Sequence, residues 1–188
     1  MSNVIQFLKE NIEVNNAVIR LLSGKIEEAS DIVANTLKSG KTIFIAGNGG
    51  SATMATHISG EFLGRFKKER KSLPSISLAA DTAALTAIAN DYGYDFIFSR
   101  QLEGLAKRGD LLITLTTSGN SENLIKAMGA AKNLSVRTIS LSGKDGGRMK
   151  GMADLEIIIP SNNTPRIQET HLLILHIICE LSEKNFME

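Results

Sequence analysis

The 188-residue chain has the length of one domain, and a hydrophobic content of 43% is enough to form one sizeable core. Its 21 basic and 20 acidic residues are interspersed and give a net charge of +1, so we expect no nucleic-acid partner. We expect a cytoplasmic protein without a membrane partner, for three reasons. The amino terminus is charged, Cys179 is the lone cysteine, and no apolar run approaches the roughly 20 residues that span a membrane.

Two helical segments are predicted at the amino terminus. In the first, apolar positions recur in steps of three and four, which is the spacing of a helix-packing seam. The seam comprises Ile5, Leu8, Ile12, Asn15, Ile19 and Leu22. The second segment runs from Lys25 to Lys38 and is predicted to end at Gly40. Residues 1–40 thus form a helical arm of one domain (residues 1–188), and this arm either covers the domain's own core or lies in an oligomer contact.

From residue 42 onwards, short β-branched runs alternate with longer helical segments. The predicted strands are residues 42–46, 75–79, 111–115, 136–141 and 155–160. The predicted helices are residues 51–63, 82–90, 96–107, 121–132 and 165–182. A basic run at residues 65–71 is predicted to be a solvated turn. Strands this apolar are typical of a parallel sheet covered on both faces, so the predicted fold class is α/β and doubly wound.

Two strand–loop–helix units, residues 42–58 and 111–128, repeat one pattern of an apolar strand, a Gly/Asn/Ser loop and a helix. Such loops offer backbone N–H groups, hydroxyls and the positive end of a helix dipole, all of which suit a phosphate. In doubly wound sheets, ligands bind where these loops gather at the carboxyl ends of the strands. One such loop alone is more often an ordinary helix cap, but the pair predicts a phosphorylated ligand.

A dinucleotide site is the sharper alternative, because Gly47, Gly49 and Ala52 fit the pattern G-x-G-x-x-A. That motif needs an acidic residue about 20 positions further on, whereas Asp81 lies 34 residues after Gly47. The loop also lacks the lysine of a P-loop. The sequence therefore disfavours a nucleotide without excluding one.

Four polar side chains interrupt helices that otherwise look buried: His57, Glu61, Gln168 and His176. His57 and Glu61 are one helical turn apart, a spacing that can hold a metal, with the glutamate also available as a base. Taken alone, such a pair is more often a surface hydrogen bond, and a histidine in an apolar helix is more often a core residue. Gln168 and His176 are about 12 Å apart along an ideal helix, so neighbouring subunits would bring them to one ion more easily, and His171 is a local competitor.

Six motifs occur in the order of a known family. They are GNGGSA, HISGEFLGRF, AIAND, TSGNSENLIKA, LSGKDGG and RIQETHLLILHII. Over nearly its whole length, the chain resembles the phosphoheptose isomerase branch of the SIS phosphosugar-binding family. The ordered set is far more specific than any one of its motifs.

This resemblance implies a three-layer fold with a five-stranded parallel sheet between helices, assembled as a homotetramer whose active sites lie at subunit contacts. It implies a phosphorylated seven-carbon sugar as substrate, with sedoheptulose 7-phosphate and D-glycero-D-manno-heptose 7-phosphate interconverted through an enediol for lipopolysaccharide or capsule synthesis. The implied substrate-binding residues are Asn48, Gly49, Gly50, Ser51, Glu61, Asn90, Asp91, Thr116, Thr117, Ser118, Ser121 and Gln168. The implied zinc ligands are His57, Glu61, Gln168 and His176. Glu61 is the implied base on carbon and His176 its acid/base partner, so the resemblance selects His176 rather than His171.

The rival hypothesis is a non-enzymatic protein, because a relative with the same fold binds the replication initiator DnaA and has no isomerase activity. That relative lacks the glutamate and the second histidine, whereas this chain has Glu61 and His176. A phosphosugar-sensing module is a weaker alternative, since the sequence contains no DNA-binding segment. The set of polar residues therefore favours the enzyme.

Overall fold

Six α-helices and five β-strands alternate through residues 3–186, the part of the chain that the computed structural model describes. The helices are α1 (Asn3–Lys38), α2 (Gly50–Leu63), α3 (Thr82–Tyr92), α4 (Ser99–Leu105), α5 (Glu122–Asn133) and α6 (Thr164–Glu183). The strands are β1 (Ile43–Gly47), β2 (Ser75–Ser77), β3 (Leu111–Leu115), β4 (Arg137–Gly143) and β5 (Leu155–Ile159). Short 3-10 segments cover Tyr94–Phe96, Gly147–Met149 and Lys184–Phe186.

All five strands pair in parallel, in the order β2-β1-β3-β4-β5. This order confirms the predicted doubly wound α/β fold, in which the direction of winding reverses between β1 and β3. Ile43 of β1 is in register with Leu111 of β3, and Gly47 with Leu115. The loops that follow these two strands therefore leave one edge of the sheet side by side, at the position where such folds bind ligands.

The sheet separates two hydrophobic cores and makes the fold three-layered. On one face, α1, α2 and α6 bury apolar side chains such as Ile58 and Ile174. On the other face, α4 and α5 bury side chains such as Leu102 and Leu124. α3 buries none of its side chains fully, so it lies on the surface beside this second core. Within residues 3–186, no helix is both long and apolar enough to cross a bilayer.

The two helices predicted at the amino terminus are one helix of 36 residues, α1. The predicted separation near Gly24 is wrong, because a buried stripe continues through that region in helical phase. The stripe includes Val14, Val18, Leu22, Ile26, Ala29 and Val33. Burial of these side chains outweighs the cost of one glycine in a helix interior, which is about 1 kcal/mol. Most of the predicted seam faces solvent instead, and its exposed members are Ile5, Leu8, Ile12 and Ile19.

Other element boundaries differ from the prediction by smaller amounts. The helix predicted over residues 96–107 is a 3-10 turn followed by α4, with Ile97 and Phe98 buried between them. β2 is shorter than predicted because it is an edge strand that pairs with β1 alone. β4 extends to Gly143 because β5 pairs with it up to that residue.

The basic run at residues 65–71, predicted to be a solvated turn, contains a buried cation. The side chain of Arg70 is 1% exposed, and its Nε donates to Glu183 Oε1, 3.1 Å away in the last turn of α6. Burial raises the pKa of the Glu183 carboxyl, but N–H donors from Lys67, Phe66 and Lys68 and the charge of Arg70 lower it by more. The net pKa lies below its ordinary value, so Glu183 is ionised at neutral pH and the ion pair links the segment after α2 to α6.

We predict that Gly24→Ala raises the free energy of unfolding by about 1 kcal/mol, because alanine is favoured over glycine inside a continuous helix. Gly24 is exposed, and a Cβ there would meet nothing within 4 Å. The matched variant is Gly40→Ala, which also has open space but a φ of +67°, so it should lower the free energy of unfolding by about 1 kcal/mol. Urea denaturation measures both values. A loss of stability in Gly24→Ala would contradict the continuous helix.

Candidate active site

The first loop of the candidate site joins β1 to α2. Gly49 is the N-cap residue of α2, and the N–H groups of Ser51 and Ala52 donate to the carbonyls of Asn48 and Gly49. Ser51 is buried, whereas Gly49 and Gly50 are exposed. Since Gly49 has no side chain to cap the helix, the positive end of α2 is open to an anion.

The second loop joins β3 to α5 and carries hydroxyl groups. The Oγ1 atom of Thr116 accepts the N–H of Gly119 at 3.1 Å, which folds the loop back on itself. Thr117 and Ser118 are half-buried. Ser121 is the N-cap residue of α5, and its hydroxyl makes no hydrogen bond to that helix's N–H groups. A second helix start, with hydroxyls beside it, therefore lies at the same edge of the sheet as the first loop.

The loop after β4 supports the loop after β3. Gly119 has a φ of +65°, and a Cβ on it would collide with the carbonyl oxygen of Gly146. The N–H of Met149 donates to the carbonyl of Gly119, and the N–H of Arg148 donates to Asn120 Oδ1. The glycine-rich motif after β4 therefore lets the two loops touch through their backbones.

Side chains join the two phosphate-type loops to each other. The amides of Asn48 and Asn123 exchange two hydrogen bonds of 2.9 Å, and the Tyr94 hydroxyl donates to Asn48 Oδ1. Asn90 and Asp91, at the end of α3, are exposed and hydrogen-bonded to each other. Asn123 and Tyr94 were not predicted as site residues, because a hydrogen-bonded asparagine pair separated by 75 residues leaves no local pattern in the sequence.

His57 and Glu61 of α2 converge with His176 of α6 in the same chain. The Nε2 atom of His57 lies 3.3 Å from Glu61 Oε1 and 3.0 Å from His176 Nε2. Ligand atoms of a tetrahedral zinc ion, with bonds of about 2.0–2.1 Å, lie about 3.3 Å from one another. The atoms are of the types that zinc binds, the two distances from His57 are close to that spacing, and all three atoms lie within 4.8 Å of one another. The side chains of His57 and Glu61 are 49% and 23% exposed, so this cluster is open to solvent.

Gln168 of α6 lies nearer the start of α2 than the His57 cluster does. A Cβ on Gly50 would come within 2.9 Å of Gln168 Nε2, so the amide of Gln168 lies against the start of α2. His57 is seven residues further along α2, which is about 10 Å of helix. The structure thus places Gln168 beside the first loop, and places His176 beside His57.

Two residues considered as candidates, His171 and Asp81, and the lone cysteine lie outside the cluster. His171 is fully buried with Nε2 against the Ser142 carbonyl, and burial lowers its pKa to about 4 although that hydrogen bond raises it. Asp81 caps α3 by accepting a backbone N–H, which accounts for its position without a dinucleotide. Burial is the main cause that raises the pKa of Cys179 to about 12, and the negative charge of Glu61 adds to it, so Cys179 remains a neutral thiol at pH 7. None of the three joins the His57 cluster.

Comparisons with known proteins show the family of the chain. Residues 6–143 match the SIS domain family. A phosphoheptose isomerase of a Nitratiruptor species is 55% identical over 161 residues, which are 86% of each chain. One of Aliarcobacter butzleri is 49% identical over 180 residues, which are 96% of this chain and 95% of the relative.

Solved structures show the same relationship. A phosphoheptose isomerase from Francisella tularensis superposes with a TM-score of 0.94 at 33% identity, covering 98% of this chain and 100% of that one. The enzyme from Neisseria gonorrhoeae gives a TM-score of 0.91 at 36% identity, covering 96% and 97%. The sugar isomerase domain of an RpiR transcription factor from Sphaerobacter thermophilus, at 17% identity and a TM-score of 0.67, shares the fold alone. The chain therefore belongs to the SIS domain family and, within it, to the phosphoheptose isomerases.

Proposed function

We propose that the chain interconverts sedoheptulose 7-phosphate and D-glycero-D-manno-heptose 7-phosphate, at the start of nucleotide-activated heptose synthesis for lipopolysaccharide or capsule. The observation that carries this proposal is the convergence of His57, Glu61 and His176 on α2 and α6, with a phosphate-type loop at the start of α2 and a second one leaving the same edge of the sheet. The loops are separate from the cluster. One end of a sugar phosphate can thus be anchored while the other end reacts, which positions C1 and C2.

The proposed anchor for the phosphate is the pair of helix starts at the carboxyl edge of β1 and β3. Backbone N–H groups of the first loop and hydroxyls of the second provide donors for its oxygens. Asn90 and Asp91 are proposed to bind hydroxyl groups of the sugar, since both are exposed near the turn that carries Tyr94. The residues proposed to bind substrate are Asn48, Gly49, Gly50, Ser51, Glu61, Asn90, Asp91, Thr116, Thr117, Ser118, Ser121 and Gln168.

In the proposed chemistry, Glu61 removes the proton from C1 of the ketose and returns it to C2 of the enediol. His176 gives a proton to the oxygen on C2 and accepts the one that leaves the oxygen on C1, so protons balance over the turnover. Support for these roles comes from the partial exposure of the Glu61 carboxylate and from the short distance between the His57 and His176 rings. Both proposed groups lie where a substrate can reach them.

Zinc is the proposed cofactor, held by His57, Glu61 and His176, with Gln168 as a fourth ligand. When bound, it supplies polarisation of the substrate oxygens and stabilises their negative charge. A carboxylate or an imidazole nitrogen that ligates a cation would not be free to take a proton at that atom, so in this proposal the two uses of Glu61, and likewise those of His176, alternate. Because Gln168 lies about two helical turns from His57 in its own chain, the proposed fourth ligand comes from a neighbouring subunit.

A homotetramer with active sites at subunit contacts is part of the proposal. Its support is the outward stripe of α1, where Ile5, Leu8, Ile12 and Ile19 are between 45% and 66% exposed. A contiguous apolar stripe of this kind is typical of a protein–protein contact.

Conversion of sedoheptulose 7-phosphate to the aldose, followed with and without chelator, tests the function. We expect turnover by the wild type, loss of turnover with chelator, and recovery on adding zinc. Glu61→Gln should lower kcat by a factor of roughly 10² to 10⁴, the contribution of one acid–base group, while phosphosugar binding measured by calorimetry persists. Glu69→Gln, whose side chain is 85% exposed in the following segment, is the matched control and should leave kcat unchanged. An unchanged kcat in Glu61→Gln with a raised KM would remove Glu61 from the chemistry.

The phosphate anchor is tested at the contact between the loops after β3 and β4. Gly119→Ala forces the two backbones apart, so we expect KM for the phosphosugar to rise at least about tenfold, because small displacements in a binding site are costly. Gly129→Ala, in α5 with open space around its Cβ, is the control and should leave KM unchanged. Steady-state kinetics gives both values. Equal KM values for Gly119→Ala and the wild type would rule out this loop as the anchor.

A further inference from the structure

Glu183 organises the segment that follows α2, although it lies at the far end of α6. Its Oε1 accepts the N–H of Phe66 at 3.0 Å, and its Oε2 accepts the N–H groups of Lys67 and Lys68 at 2.9 and 3.1 Å. Together with the bond from Arg70 Nε, one buried carboxylate holds four donors of a single segment. The path of this segment is therefore fixed by α6.

Arg70, which is bound to Glu183, also binds the end of α2. Its guanidinium donates to the carbonyls of Phe62 at 2.9 Å, Gly64 at 3.0 Å and Glu61 at 2.7 Å. Carbonyls in the last turn of a helix have no partner within the helix, so these bonds fix how α2 ends. The bond to Glu61 is the consequential one, because the same residue supplies the carboxylate of the His57 cluster.

Phe66, in the segment after α2, contacts His176 of the cluster. Its ring lies 5.6 Å from the His176 ring, centroid to centroid, and the His176 ring lies 5.3 Å from the His57 ring. His176 therefore has an aromatic ring against it on one side and its proposed partner ligand on another. The position of Phe66 follows from the bond between its N–H and Glu183.

We infer that Phe66, Arg70 and Glu183 are positioning residues that fix the approach of Glu61 and His176 to each other, and so set the affinity of the cluster for a divalent cation. This inference rests on the proposed metal site. An apolar contact would join α2 to α6 as well as an ion pair does, but it would leave the carbonyls of the last turn of α2 unpaired. A charged pair with all these donors used instead fixes the relative position of the two helices. We call these three residues the brace.

Zinc affinity, measured by competition with a chromogenic chelator, tests the brace without relying on turnover. Groups that support metal ligands typically change metal affinity by roughly 10- to 100-fold when altered, so we expect Phe66→Leu and Glu183→Gln to weaken zinc binding by at least about tenfold. Glu69→Gln, the matched control in the same segment, should bind zinc within about twofold of the wild type. Since the brace is remote from the phosphate loops, kcat should fall in the two brace variants while KM for the phosphosugar changes little.

Phe66→Leu keeps every hydrogen bond of Glu183, because those bonds use the backbone of Phe66, so it decides the question if Glu183→Gln does not fold. Circular dichroism and thermal denaturation check that each variant is folded. Wild-type zinc affinity in folded Phe66→Leu would overturn the brace and leave the proposed metal site intact. Absence of zinc binding by the wild type would overturn both, and zinc binding without isomerisation would overturn only the proposed reaction.

Discussion

The buried ion pair of Arg70 and Glu183 is the interaction on which the geometry of the candidate site depends. It joins the end of α2, the helix that carries Glu61, to the last turn of α6, the helix that carries His176. Breaking a buried pair by removing one partner costs about 3–5 kcal/mol, because the other charge is left without compensation. The pair therefore restricts α2 and α6 to one relative position, and the two histidines and the glutamate meet only in that position.

A second constraint comes from the sheet. Its order places β1 beside β3, so two loops that are about 70 residues apart in sequence leave the same edge together. Asn48 and Asn123 then join these loops, and the motif after β4 supports the second one from outside. In the proposed function, the sheet edge provides the anchor for a phosphate and the α2–α6 pair provides the polar groups for chemistry. Separation of these two tasks is what an isomerase of a long sugar phosphate needs.

The fold class was largely predictable from sequence, because strand and helix patterns are local and their alternation is typical of a parallel sheet covered by helices. The pairing of His57 with Glu61 was also predictable, since a four-residue spacing places both on one helical face. The helical pattern alone did not choose between His171 and His176, and only the family resemblance favoured His176. The choice depends on which face of α6 meets α2: the two residues differ by about 140° around α6, and His171 lies against Ser142. Glu183 gave no signal at all, since its partners lie more than 110 residues away. The continuity of α1 was missed because a local glycine suggested a break that long-range packing overrides.

His57, Glu61 and His176 of one chain are proposed to form the cation site of this phosphoheptose isomerase. Anomalous diffraction from crystals grown with zinc, recorded on both sides of the zinc absorption edge, tests it most directly. We expect one strong anomalous peak within about 2.0–2.2 Å of His57 Nε2, His176 Nε2 and a Glu61 carboxylate oxygen. A zinc-loaded crystal with its peak elsewhere, for example beside His171 or only at surface carboxylates, would contradict it.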